Sequence, residues 1–178
     1  MRSVVFLLLL SCAFAARAAA EPPPNRDVAA PRVEVQWAPT DRLSEVRDNP
    51  LHRGWLRPEQ WMKELGDHLA ARADRVLPPG RRLLVTIDDI KLAGDFEPWR
   101  GPGAQDVRVL RHAYPPRIDL HFRLLAADGA VLREGAAKLR DAAYLDRTVP
   151  ASTDPLRYDK RLLDEWLRKE FGAAGPAG

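Results

Sequence analysis

Cysteine is all but missing from this chain: Cys12 is the only one in 178 residues, and it lies in an apolar leader. Beyond it there is no thiol, which excludes disulfide staples, CxxC redox chemistry and a cysteine nucleophile. Serine is nearly as scarce. Past the leader only Ser44 and Ser152 remain, and neither stands in a GxSxG turn, so a serine hydrolase is excluded too. His52, His68, His112 and His121 show no HxxxH or HxH spacing, which removes the usual helical and strand metal sites. There is no DxDxDG calcium loop and no glycine-rich phosphate loop. Together these absences predict a domain without a metal or a cofactor.

What is present at the N-terminus reads as an export signal. Arg2 supplies a positive start, Val4 to Leu10 and on to Ala16 an apolar core, and Ala18-Ala19-Ala20 small residues before Glu21. The core is shorter than the ~20 residues that span a bilayer, and no second run of that length follows. Residues 1–20 are therefore expected to be cleaved near Ala20, leaving a protein of the periplasm with no transmembrane segment. Leu9-Leu10-Ser11 before Cys12 offers an alternative, a lipoprotein anchored at that cysteine. Removing residues 1–20 takes away Arg2 and Arg17 and no acid, so the formal charge falls from +3 to +1. The remaining charges interleave rather than cluster, which gives no footprint for nucleic acid.

Residues 21–31 hold four of the sixteen prolines and read as an extended linker. Residues 172–178 are Gly, Ala and Pro only and read as a flexible tail. Between them a single domain over 32–171 is expected. Arg32 to Trp37 alternates as a half-buried strand. Ala38 to Arg57 has no lasting period and reads as a long loop. Pro58 opens a helix whose stripe is Trp61, Leu65, Leu69, Ala73 and Val76, with Met62 beside it, stopped by Pro78-Pro79-Gly80. Arg82 to Leu92 changes phase at Asp88-Asp89, which predicts a β-bulge. A loop and a short strand over 106–110 follow. Asp128-Gly129 predicts a two-residue type I′ turn, so that residues whose numbers sum to 257 face each other across the hairpin 117–140. Phe122 then covers Gly135, while Asp119 meets Lys138 and Arg123 meets Glu134. Asp154 with Pro155 is expected to open a last helix whose apolar face carries Leu156, Leu163, Leu167 and Phe171, widened by Leu162 and Trp166. The order β-α-β-β-β-β-α predicts an α+β fold: one antiparallel-rich sheet of about five strands with two helices on one face.

Several spaced motifs agree on one family. Asp89-Ile90-Lys91-Leu92-Ala93-Gly94 with Glu97-Pro98, Tyr114-Pro115-Pro116-Arg117, the Asp128-Gly129 hairpin, Tyr158-Asp159-Lys160 and Asp164-Glu165-Trp166 together resemble domain-of-unknown-function family 3016. The resemblance covers 32–171. It implies a small exported protein of Gram-negative bacteria with no assigned activity, and carries over no catalytic residue.

The chemistry must then be read from the residues. The acids Asp88, Asp89, Asp95, Glu97 and Asp106 cluster in sequence, but neighbouring strand residues point to opposite faces, so Asp88 and Asp89 are no ready-made carboxylate pair. The most unusual segment is 94–103, where Asp95, Glu97, Trp99 and Arg100 sit among turn formers. Two readings compete. In one, Phe96 and Trp99 fold back as a lid on the sheet edge, and Trp99→Ala costs ~3 kcal/mol. In the other, Trp99 stacks on a ligand or envelope partner while Asp95, Glu97 or Arg100 select polarity. The expected function is a non-catalytic binding or envelope-accessory domain acting through this loop or a sheet edge. The alternative is a small carboxylate-dependent hydrolase of envelope carbohydrate or peptide.

Overall fold

Alternating apolar residues build a four-stranded mixed sheet. The computed structural model describes residues 31–49, 56–147 and 152–172. The leader, the linker up to residue 30, His52 and the tail from residue 173 lie outside the described residues. Strand β1 (Val33–Trp37) pairs in parallel with β2 (Arg82–Lys91), which pairs antiparallel with β5 (Arg117–Leu125), itself antiparallel to β6 (Val131–Arg140). The parallel pair requires a crossover, and the segment between carries α1 (Ser44–Asp48) and α2 (Pro58–Val76). Helix α1 falls where a loop is expected, because five residues are too few to show a period.

The fifth expected strand is not in this sheet. Residues Arg108–Val109 form β4, which pairs only with β3 (Asp95–Phe96) in a separate two-stranded ribbon. Two residues per strand leave no alternation to read. The last helix, α3 (Arg157–Phe171), begins later than Pro155. Asp154 instead accepts the Leu156 N–H at 2.8 Å and the Lys160 ammonium at 2.7 Å, so it fixes the turn that leads into the helix.

Helices α2 and α3 pack on one face of the sheet and on each other. Pro58 starts α2, where its missing N–H costs nothing, and the Gln60 side chain accepts the Arg57 N–H at 2.9 Å. Trp61, Leu65, Leu69 and Ala73 are buried, each large side chain worth ~1.5–3 kcal/mol. Val76 is exposed, and Leu77 takes its place in the core. From α3, Leu163, Trp166, Leu167 and Phe171 join the core, with Trp166 and Phe171 edge-to-face on the Phe122 ring.

The hairpin register is the expected one from Arg117↔Arg140 to Leu124↔Arg133. Phe122 covers Gly135, where a Cβ would stand 3.1 Å from the ring. The turn differs. Within the turn only Gly129 has positive φ, at 87°, and among the described residues no non-glycine residue does, which rules out type I′ at Asp128. Gly129 N–H donates to Ala126 O and Ala126 N–H to Ala130 O, closing a three-residue loop. Leu132 is the extra residue that absorbs the difference, between Leu124↔Arg133 and Leu125↔Val131. A second bulge lies at Asp88, between Ile87↔Leu120 and Asp89↔Asp119; it returns Ile90 and Leu92 to the core face. Asp119 and Lys138 stand opposite, as do Arg123 and Glu134, but neither pair closes to an ion pair within 4.0 Å.

Candidate functional site

Where β2 leaves the sheet, the turn Leu92-Ala93-Gly94 becomes the centre of a buried polar cluster. Gly94 is required there: its φ is +83°, and a Cβ would fall 2.8 Å from the Val109 carbonyl oxygen. Arg108 of β4 spreads its guanidinium over the turn, donating to the carbonyls of Leu92, Ala93 and Gly94 at 2.8–2.9 Å. Its outer edge forms a two-pronged pair with Glu45 of α1, at 2.7 and 3.0 Å. Glu45 also accepts the Leu92 N–H at 3.0 Å. Both members of the pair are buried, and the pair stands because nearly every lone pair and N–H in it is used.

Asp159 of α3 closes the cluster from the other side. Its Oδ1 accepts the Ala93 N–H at 3.0 Å, while Oδ2 has no hydrogen-bond partner. The residue is 0% exposed. Burial raises its pKa from 3.8 to about 7, with Glu45 adding to the rise and Arg108 and the Ala93 N–H opposing it. Alongside, Tyr144 is fully buried, donates to the Arg111 carbonyl at 2.9 Å and stands edge-to-face with Tyr158.

The four residues singled out in the 94–103 loop separate into different surroundings. Glu97 is buried, accepts the Tyr114 hydroxyl at 3.0 Å, and forms ion pairs with Arg111 at 3.1 Å and Arg100 at 2.6 Å, the latter without hydrogen-bond geometry. That hydrogen bond pushes the Tyr114 phenol above its ordinary 10.0. Asp95 accepts its neighbour's N–H, Phe96 N, at 2.9 Å and pairs with Lys91 at 3.4 Å. Phe96 folds in, at 5% exposure, and Trp99 points out, at 72%. The lid reading therefore holds for Phe96 and fails for Trp99: Glu97 is pulled inward by Tyr114 and Arg111, and the short turn Pro98–Arg100 that follows has no buried residue.

The other candidates serve as local connectors. Asp89 caps α1 from outside, accepting Ser44 N–H at 2.6 Å and Ser44 Oγ at 2.7 Å. Asp88 meets His121 at 2.9 Å, and Asp164 ties α3 to His68 and Arg72 of α2. Among the described residues no group of three or more His, Cys, Asp or Glu is placed to hold a metal, and no helix is long and apolar enough to cross a membrane.

Glu45, Arg108 and Asp159 are the residues that sequence reasoning passes over. Glu45 and Arg108 are 63 positions apart, and nothing local marks them as partners. Asp159 did carry a signal. It falls three residues after Leu156 and four before Leu163, on the apolar stripe of α3, where an acid is out of place.

The fold and cluster define an α+β domain held by a buried carboxylate–guanidinium clamp at one end of a mixed sheet. The chain belongs to the family described as protein of unknown function (DUF3016), whose model matches residues 31–169. No curated protein matches it. Part of the motifs that carry the family resemblance meet here, with Asp89 on α1, Leu92 to Gly94 under Arg108, Glu97 on Tyr114 and Asp159 on Ala93, while the Asp128-Gly129 turn lies at the other end of β2.

Proposed function

We propose that this protein is an exported, periplasmic, non-catalytic binding domain that meets an envelope partner or ligand through Trp99, with Asp95 and Arg100 beside it. The observation that carries the reading is Trp99 itself, 72% exposed between an anchored Phe96-Glu97 and two glycines with positive φ, Gly101 and Gly103. A large aromatic with few rotatable bonds, anchored on one side by Phe96 and Glu97, offers a large contact area, as the strongest contact residues do. Glu97 is not part of that surface, since Tyr114, Arg111 and Arg100 already hold it. The hydrolase alternative gains no support: Asp88, Asp89, Asp95 and Glu97 each have a partner within the protein.

Trp99→Ala should leave thermal melting within ~0.5 kcal/mol of wild type, as for exposed sites generally, and abolish capture from envelope extract by the tagged mature protein. A lowered melting temperature, or capture as strong as wild type, would reject the assignment. Export has its own test. Arg2, the apolar core and Ala18-Ala19-Ala20 support cleavage after Ala20, so the intact mass of periplasmic material should correspond to a chain beginning at Glu21. An acylated N-terminus at Cys12 would instead establish a lipoprotein.

A further inference from the structure

Three cations lie side by side across three neighbouring strands. Lys91 of β2 stands directly opposite Arg117 of β5, and Arg117 directly opposite Arg140 of β6. Side chains so paired share one face of the sheet, with Cβ atoms about 5 Å apart, and like charges there repel. All three line one cleft of about 300 Å³, bounded by Gly94 and Asp95 on one side and Tyr114-Pro115 on the other. Lys91 is partly answered by Asp95 at 3.4 Å and Asp48 at 3.8 Å. The side chains of Arg117 and Arg140 have no hydrogen bond or ion pair with any described residue. Asp119 follows Arg117 by two positions on the same strand face and pairs with neither arginine.

An arrangement that sets two unanswered guanidinium groups against each other costs stability unless something else compensates them. Arg117 is only half-exposed, so water screens it less than a charge at the rim. Guanidinium forks bond the oxygens of an oxyanion in pairs, and phosphoryl oxygens match that geometry. Two uncompensated positive charges match a dianion better than a monocarboxylate. We propose that this cleft binds a phosphate or phosphomonoester group, with Arg117 and Arg140 as the paired donors and Lys91 as the third charge. Trp99 does not line the cleft, and the proposal rests on a different observation, although Asp95 borders both surfaces.

The same group is offered by free phosphate and by a phosphomonoester lipid headgroup, and the experiment has an arm for each. Calorimetric titration of the mature protein with inorganic phosphate, with chloride holding the ionic strength constant, should show saturable binding. Arg117→Gln and Arg140→Gln should each weaken it about tenfold or more, the loss of a charged hydrogen-bond donor. Arg75→Gln, an exposed arginine in the last turn of α2, should change nothing. Without phosphate, the two cleft variants should melt at the same temperature as wild type or higher, because the repulsion across the strands is relieved. In the second arm, vesicles of phosphatidylcholine with phosphatidic acid are floated with the protein. Co-flotation lost in the same variants identifies a lipid headgroup as the source, and phosphate binding without co-flotation identifies a soluble one. No binding in either arm overturns the proposal. Equal binding by the cleft variants, or a fall in their melting temperature with phosphate affinity unchanged, overturns it as well.

Discussion

Between about pH 4 and about pH 7 the folded state should lose stability steadily, because buried Asp159 holds its proton longer folded than unfolded. Its folded pKa is about 7 against an ordinary 3.8, and burial is the main cause. Below the unfolded value both states are protonated and the stabilising contribution is complete. As pH rises, the unfolded chain releases this proton first, and each unit removes up to ~1.4 kcal/mol until the folded carboxyl ionises too. The ceiling over the whole window is ~4 kcal/mol, and relaxation around the cluster reduces it. Above about pH 7 the contribution is flat. Asp154 works in the opposite sense and at lower pH. Burial pushes it up, but its bonds to Lys160 and the Leu156 N–H outweigh that and hold it below 3.8, so its stabilisation is lost only as pH falls through that lower value. The two windows do not overlap. Asp159→Asn keeps an acceptor for the Ala93 N–H and has no charge to bury, so urea melts should show it gaining on wild type as pH rises. Wild-type and variant profiles that run parallel from about pH 4 to about pH 7 would mean that the Asp159 proton does not couple to folding.

How much of this could be read in advance depended on the distance over which each interaction acts. The hairpin register and the bulge at Asp88 follow from alternation and from one phase slip, both local, and both were legible. So were the buried stripes of α2 and α3, since a period repeated over four turns leaves little freedom. The turn departs from the expected one because Asp-Gly suits both a two-residue loop and the three-residue loop with Gly129 left-handed; only the bulge at Leu132 decides between them. The short strand expected over 106–110 is β4, but helix α1 and β3 carry no local signal, because α1 is held from outside by Asp89 and β3 by its pairing with β4. Trp99 is the instructive failure. Its type suggests burial, but Glu97 is held inward by Tyr114 and Arg111 and the turn Pro98–Arg100 that follows has no buried residue, so backbone direction outweighs apolar preference. The expected hairpin register already sets Arg117 opposite Arg140, but the row with Lys91 needs the pairing of a third strand, which no local pattern shows.

Glu45→Ala should be strongly damaging, costing ~3–5 kcal/mol, because it leaves the buried Arg108 charge without its carboxylate. It also removes the acceptor of the Leu92 N–H, a second buried loss of ~1–3 kcal/mol that overlaps the first. Replacing both members by apolar residues often restores stability to a buried pair. Here it should restore only part, since Arg108 also holds the Leu92, Ala93 and Gly94 carbonyls, which no apolar side chain can satisfy. A double-mutant cycle with Glu45→Met and Arg108→Met measures this: the double variant should lie between wild type and the Glu45 variant. Glu45→Gln separates charge from packing. It keeps the side-chain volume and an acceptor for Leu92, and removes the negative charge that helps raise the Asp159 pKa. The pH-dependent loss of stability should therefore shift to lower pH in Glu45→Gln and span a narrower window than in wild type. If Glu45→Gln lowers stability by the same amount at every pH, the clamp and the Asp159 proton are independent. The cluster would then be two adjoining contacts and not one coupled unit.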